Sequence, residues 1–243
     1  MKNIVRPDYG VIADRHKLVI GVVGIGSGAG ATFIAMGLAL KMAEMTAGVT
    51  FLEGRPHPEE SPGPYRILTS DRGFKEKRFT DFFAEEGGRP GLRTNLHNKV
   101  NWVVRGPAAP EAPGAAQAAP DCRLLPGSCI IIDNPSSYED LDLIVCVADP
   151  LPSRIMAGLE TFRRIREQAI VPVIWLLNKN CPPVSRRQVE IFLRTRFTHV
   201  MPLIPAEFFY RAEYDCNLPY AGSLPEDADT VFKRLAEEIL LHN

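Results

Sequence analysis

The chain has 243 residues, 45% of them hydrophobic and 23% charged, and a formal net charge of −1. That length points to one α/β domain that can bury its own core without a disulfide or metal staple. The balanced charge excludes a global positive field for nucleic acid or anionic lipid, and five cysteines without a C-x-x-C pair argue against a disulfide framework, zinc or iron–sulfur.

Residues 1–16 are polar and irregular and read as an N-terminal arm. "KLVIGVVGI" (17–25) is a β-branched run of the kind buried on both faces of a parallel sheet. A glycine-rich stretch follows, and "ATFIAMGLALKMAEM" (31–45) is a mostly apolar helix. "VTFLEG" (49–54) is the second strand. Residues 54–78 are dense in Pro, Gly and charge and read as a surface loop. "FTDFFAEE" (79–86) is expected as a short helix and "KVNWVVRG" (99–106) as a strand. The Ala/Pro tract at 106–120 reads as an insertion.

"SCIIIDNPSS" (128–137) and "LDLIVCVADP" (141–150) are apolar strands, each ending near an acid. The helix at 152–168 carries Ile155, Met156, Leu159, Phe162 and Ile165 at 3–4 spacing. "VPVIWLLNKN" (171–180) is a strand. A helix over 184–197 starts on a Ser185/Gln188 capping box. A short strand (199–205) and a closing helix (227–243) complete the chain. The alternation predicts a doubly wound, mostly parallel sheet with helices on both faces, as one domain over 17–243. Ligands in such sheets bind beyond the carboxyl ends of strands, here the loops after Ile25, Glu53, Asp133, Ala148 and Asn178. No apolar run reaches bilayer length and no signal-peptide core is present, so a cytoplasmic location is expected.

The stretch "GIGSGAGAT" (24–32) supports two readings. As a phosphate loop, Gly28 and Gly30 supply positive φ, successive N–H groups form a concavity, and Thr32 offers a hydroxyl to Mg²⁺. As a dinucleotide loop, Gly24-Ile25-Gly26-Ser27-Gly28-Ala29 satisfies G-x-G-x-x-A, with Glu53 placed to read a ribose in an NAD(P) oxidoreductase. A plain tight turn is the bland third reading.

In the order of its motifs the chain resembles the MinD/ParA group of deviant P-loop ATPases, in the SIMIBI class. The family loop K-G-G-x-G-K-[ST] matches Gly26-Ser27-Gly28-Ala29-Gly30-Ala31-Thr32 at Gly28, Gly30 and Thr32. The resemblance implies a P-loop NTPase fold and Mg-ATP or Mg-ADP on residues 26–32, with Asp133 holding the metal through water. It implies Asn178 at the adenine, and the Ile204-Pro205 turn with its following helix closing over the base. A protein partner and a homodimer are implied in the same way.

The departures are equally specific. Gly26 and Ala31 stand where the family has its two lysines, a loss shared with the TadZ-like pilus-assembly proteins, which this chain resembles in that respect. Glu53 offers one carboxylate after the second strand, where the family has Asp-x-Asp, and Arg55 stands in place of the second. Phosphoryl transfer is mostly positioning and charge neutralisation, so the missing cations predict slow or absent hydrolysis with binding retained. Lys17, Arg55 and Lys179 are candidate sources of a replacement cation. The resulting expectation is a degenerate nucleotide switch that positions or regulates a partner assembly. The alternatives are the NAD(P) oxidoreductase and a nucleotide-free scaffold.

Three further features read as structural. The arginines at 163, 164, 166, 186, 187, 194 and 196 are balanced by Glu160, Glu167 and Glu190, which argues against nucleic acid. The last helix lacks the cationic excess of a membrane-surface helix and is expected to pack in the core. His57, His97 and His199 have no ligand-spaced neighbours, so no histidine metal site is expected.

Overall fold

The computed structural model describes residues 17–54, 63–74, 96–104, 122–220 and 224–242. The N-terminal arm, the expected helix at 79–86, the 106–120 tract, Arg55 and His57 lie outside the described residues. The strands are β1 (Leu18–Gly24), β2 (Val49–Glu53), β3 (Leu96–His97), β4 (Val100–Val103), β5 (Cys129–Asp133), β6 (Leu143–Ala148), β7 (Val173–Asn180) and β8 (His199–Pro202). The helices are α1 (Ala31–Met45), α2 (Pro64–Ser70), α3 (Pro152–Gln168), α4 (Arg186–Leu193), α5 (Ala206–Tyr214) and α6 (Glu226–Leu241).

All eight strands form one sheet in the order β3-β4-β2-β5-β1-β6-β7-β8. Every pairing is parallel except β3 with β4. The period-2 alternation of each strand assigns its residues to two apolar layers. Ile20, Val22, Phe51, Ile131, Val145 and Leu176 join the α1 and α6 side. Val19, Val23, Leu52, Ile132, Ile144 and Leu177 join the side covered by α3 and α4. The same alternation puts the strand-end residues Glu53, Asp133 and Asn178 on the α1 side.

α1 is apolar nearly all round because it is covered by both the sheet and α6. Gly37 makes the second contact possible, since a Cβ there would lie 2.3 Å from the ring tip of Phe232. α6 turns Phe232, Leu235, Ala236 and Ile239 inward, so its apolar face is part of the core. No helix among the described residues is long and apolar enough to cross a membrane.

Several expectations need correction. Residues 54–78 are not all loop: Pro64 at N1 starts α2, and Leu68 and Phe74 are buried. Met156 is 58% exposed, so the buried stripe of α3 is Ile155, Gly158, Phe162 and Ile165. α4 stops at Leu193 rather than 197 because Arg194 takes a left-handed φ of 50° and ends the helix. β3 was missed, being only two residues on the sheet edge.

Candidate functional site

β5 lies between β1 and β2, so the end of β1 has Asp133 on one side and β6 on the other. Glu53 is one strand further out, in register with Asp133. A dinucleotide fold of either common strand order pairs its second strand directly with its first. The intervening strand removes that adjacency of Glu53 to the glycine loop, and with it the geometry that the NAD(P) reading needs.

The loop leaves β1 at Gly24, whose N–H donates to the Asn134 side-chain oxygen at 3.2 Å. Gly28 and Gly30 have φ of 73° and 90°, the left-handed values that favour glycine. At Gly30 there is a second constraint: a Cβ would lie 2.3 Å from the Asn178 amide nitrogen. Ser27 and Gly28 are exposed, while Ala29 and Ala31 are buried. α1 then begins with no acidic residue in its first turn and no side chain capping its N-terminus. Its leading N–H groups and positive dipole end therefore face the loop. α4, by contrast, is capped by Ser185.

Thr32 Oγ1 donates to Asp133 Oδ2 at 2.8 Å. Asp133 is fully buried, and its other oxygen accepts from the Asn134 amide at 2.9 Å. Glu53 beside it is 4% exposed. Hydroxyl and carboxylate oxygens are the donor set that a hard divalent cation prefers, so the residues present fit Mg²⁺. Tyr220 closes this side. Burial first, and the Asp133 charge second, push its hydroxyl well above the ordinary tyrosine range.

Asn178 is 4% exposed and donates from its amide nitrogen to Ala29 O at 2.8 Å, while its oxygen accepts from the Lys179 N–H at 2.9 Å. It thus braces the loop from below. A base contact from this side chain would require the amide to exchange one of those bonds. Pro205 is exposed and starts α5 as its N-cap. Aromatic rings gather beside it: Phe33 from the first turn of α1 lies 5.7 Å from Phe209 and stacks at 5.1 Å on Tyr220.

The far rim of the loop holds Lys179, one of the candidate cations, together with Arg154 and Asp149, which sequence reading passed over. Arg154 Nη1 donates to Ser27 O at 2.8 Å. Lys179 Nζ donates to Gly28 O and, at 2.8 Å, to Asp149 Oδ2. Arg154 Nε approaches the same Asp149 oxygen at 3.5 Å. Asp149 is 2% exposed and also accepts the Leu151 N–H. The only sequence signal was an acid closing the apolar β6 run; nothing local marked Arg154. Lys17 is at the wrong end of β1, with its Nζ on the carbonyls of Arg123 and Leu125. His97 faces Asp71, and His199 is bonded to Glu238. Among the described residues no cluster of three or more His, Cys, Asp or Glu forms a metal site.

No family model and no curated protein sequence matches the chain. Solved structures do match in shape. MinD of Aquifex aeolicus superposes with a TM-score of 0.64 at 12% identity, covering 92% of this chain and 97% of its own. A ParA family ATPase from Chlorobium tepidum gives 0.58 at 13%, covering 91% and 98%. MinD of Pyrococcus horikoshii complexed with Mg-ADP gives 0.59 at 16%, covering 92% and 95%. The fold is that of the MinD/ParA ATPases. On the MinD/ParA fold the glycine loop, Thr32 and Asp133 of this chain meet at the carboxyl end of the sheet.

Proposed function

We propose that the chain is a MinD/ParA-like switch that binds Mg-ATP or Mg-ADP on residues 26–32, hydrolyses slowly or not at all, and positions or regulates a partner assembly. The observation that carries this reading is the Thr32–Asp133 contact at the foot of a loop whose two left-handed glycines precede an uncapped helix. In that reading Thr32 and Asp133 hold the metal, Asp133 through water, and the loop and leading α1 N–H groups receive the phosphates. Bound Mg²⁺ supplies charge neutralisation between the phosphates. Asn178, Pro205 and the Phe33/Phe209 rings flank the base, and Glu53 is the candidate for orienting water. Slow turnover follows from Gly26 and Ala31 at the two lysine positions. Losing one preorganised charge contact to a transition state costs roughly 10²–10³ in rate.

Support for nucleotide binding rather than a relic comes from the intact loop, whose two glycines turn the chain so that the uncapped N-terminus of α1 opens onto exposed backbone. The test is thermal denaturation with Mg-ATP, Mg-ADP, NADH or buffer. A ligand that binds only the folded state raises the melting temperature once its concentration passes its Kd. The expected result is a shift with either adenine nucleotide, none with NADH, and loss of the shift in Thr32→Ala. No shift with any ligand would leave the scaffold alternative standing. Sedimentation with and without Mg-ATP then tests for a nucleotide-dependent homodimer.

A further inference from the structure

Gly26 faces the start of α3 at close range: a Cβ on it would lie 3.0 Å from the Arg154 carbonyl oxygen and 3.6 Å from the Gly158 Cα. Gly158 is tighter still, its Cβ falling 1.7 Å from Ile25 O. The paired glycines let α3 press directly on the loop, leaving no room for a long side chain at position 26. That contact also puts Arg154 over the loop apex. At Gly28 the space that a side chain would take is filled by the guanidinium, with Nη1 1.9 Å from the Cβ position. From the other side Lys179 reaches the same apex, its φ of 56° being one that a lysine adopts only when the fold imposes it.

Two cations therefore flank exposed residues Ser27 and Gly28 and share one buried carboxylate, Asp149. The rim keeps an excess of one positive charge. Toward the loop both cations are bonded to neutral carbonyl oxygens. A hydrogen bond from a cation to an anionic oxygen is about twice as strong as one between neutral groups. An incoming phosphate thus outcompetes the loop carbonyls: the Lys179 ammonium has three donors and the Arg154 guanidinium has Nη donors beyond the Nε that approaches Asp149, so both can turn a donor to it while keeping Asp149.

We infer that Arg154 and Lys179, held by Asp149, are the cations that meet the polyphosphate of a nucleotide on this loop. From α3 and the end of β7 they supply charge for binding at the loop apex, not at the positions of residues 26 and 31, so turnover stays slow. The inference rests on the nucleotide reading of the loop. It adds two phosphate-binding residues and selects for di- and triphosphates.

The test measures Mg-ADP affinity and its dependence on salt for the unaltered chain, Arg154→Ala, Lys179→Asn and Lys179→Arg. Asparagine tolerates the left-handed backbone at 179, and a melt of each variant without ligand checks folding. Removal of either charge is expected to weaken Mg-ADP binding about tenfold and to flatten the salt dependence, because a screened charge contact is lost. Lys179→Arg should keep both within about threefold. If the unaltered chain binds and the charge-removing variants match it, the two cations only brace the loop, and this inference fails while the nucleotide reading stands. A loss of affinity with unchanged salt dependence overturns it equally. If the unaltered chain binds no nucleotide, both fall together.

Discussion

Gly158→Ala tests how the loop is held. A methyl on Gly158 would sit 1.7 Å from the Ile25 carbonyl oxygen and 2.4 Å from its carbon. Real Cβ contacts stay beyond 3.0 Å, so α3 must retreat by roughly 1.3 Å. The obstacle is backbone, fixed by the Ile25 N–H bond to Val147 O at 3.0 Å, and cannot rotate away. Overpacking costs typically about 1–3 kcal/mol, and a main-chain clash belongs at the top of that range or above it. Working against this, alanine in a helix interior is favoured over glycine by about 1 kcal/mol. The net expectation is a loss of about 2 kcal/mol. The same retreat would stretch the 2.8 Å Arg154 bond to Ser27 O beyond hydrogen-bonding range, so any nucleotide affinity should fall as well. Urea denaturation of Gly158→Ala beside Gly21→Ala provides the measurement. At Gly21 the added methyl meets the Leu141 side-chain tip at 2.5 Å, and a side-chain tip can move. Equal stability of the two variants would refute the claim that α3 is wedged against the loop backbone.

Three further outcomes are expected. Gly30→Ala forces a Cβ to within 2.3 Å of the Asn178 amide at φ 90°; it should cost about 2 kcal/mol, read from the denaturation midpoint, and abolish any nucleotide-induced stabilisation. Tyr220 has a raised folded-state pKa, caused by burial and then by Asp133. The stability it contributes is complete below the unfolded value of about 10 and falls as pH rises above it. Denaturation at pH 8 and pH 11 should therefore show a smaller alkaline loss for Tyr220→Phe than for the unaltered chain. Glu190 has a lowered pKa, set first by the Arg186 hydrogen bond and aided by the Phe197 N–H. Its contribution is present above its unfolded value of about 4.5 and disappears as pH falls through the folded one. Glu190→Gln should cost about 0.5 kcal/mol at pH 7, since its partner Arg186 is solvent-screened, and progressively less as pH falls below 4.5.

Local pattern was enough for most elements. The limits of α1 and α3 coincide with the predicted 31–45 and 152–168, because an apolar face repeats along α3 and a mostly apolar run of helix formers follows the glycine loop in α1. The apolar runs of β1, β5, β6 and β7 identified a parallel sheet buried on both faces, and Ser185 identified the start of α4. α2 escaped because its two buried residues, Pro64 and Leu68, sit in a stretch whose Pro, Gly and charge imitate a loop.

The glycine loop, Thr32 and Asp133 were visible in the sequence as candidates, and the order of the later motifs favoured a phosphate loop over a dinucleotide loop, without the geometry that makes the choice. That choice depends on which strand pairs with β1, and chain order carries no information about lateral order in a sheet. Placing β5 beside β1 brings Asp133 to Thr32 across 101 residues and moves Glu53 one strand away. The rim cations are more distant still, 127 residues from Arg154 to Ser27 and 151 from Lys179 to Gly28. Neither has a periodic or spaced signature. Their place is set by the close approach of Gly26 and Gly158 and by a left-handed turn at Lys179, which arise only once helix and sheet are packed together.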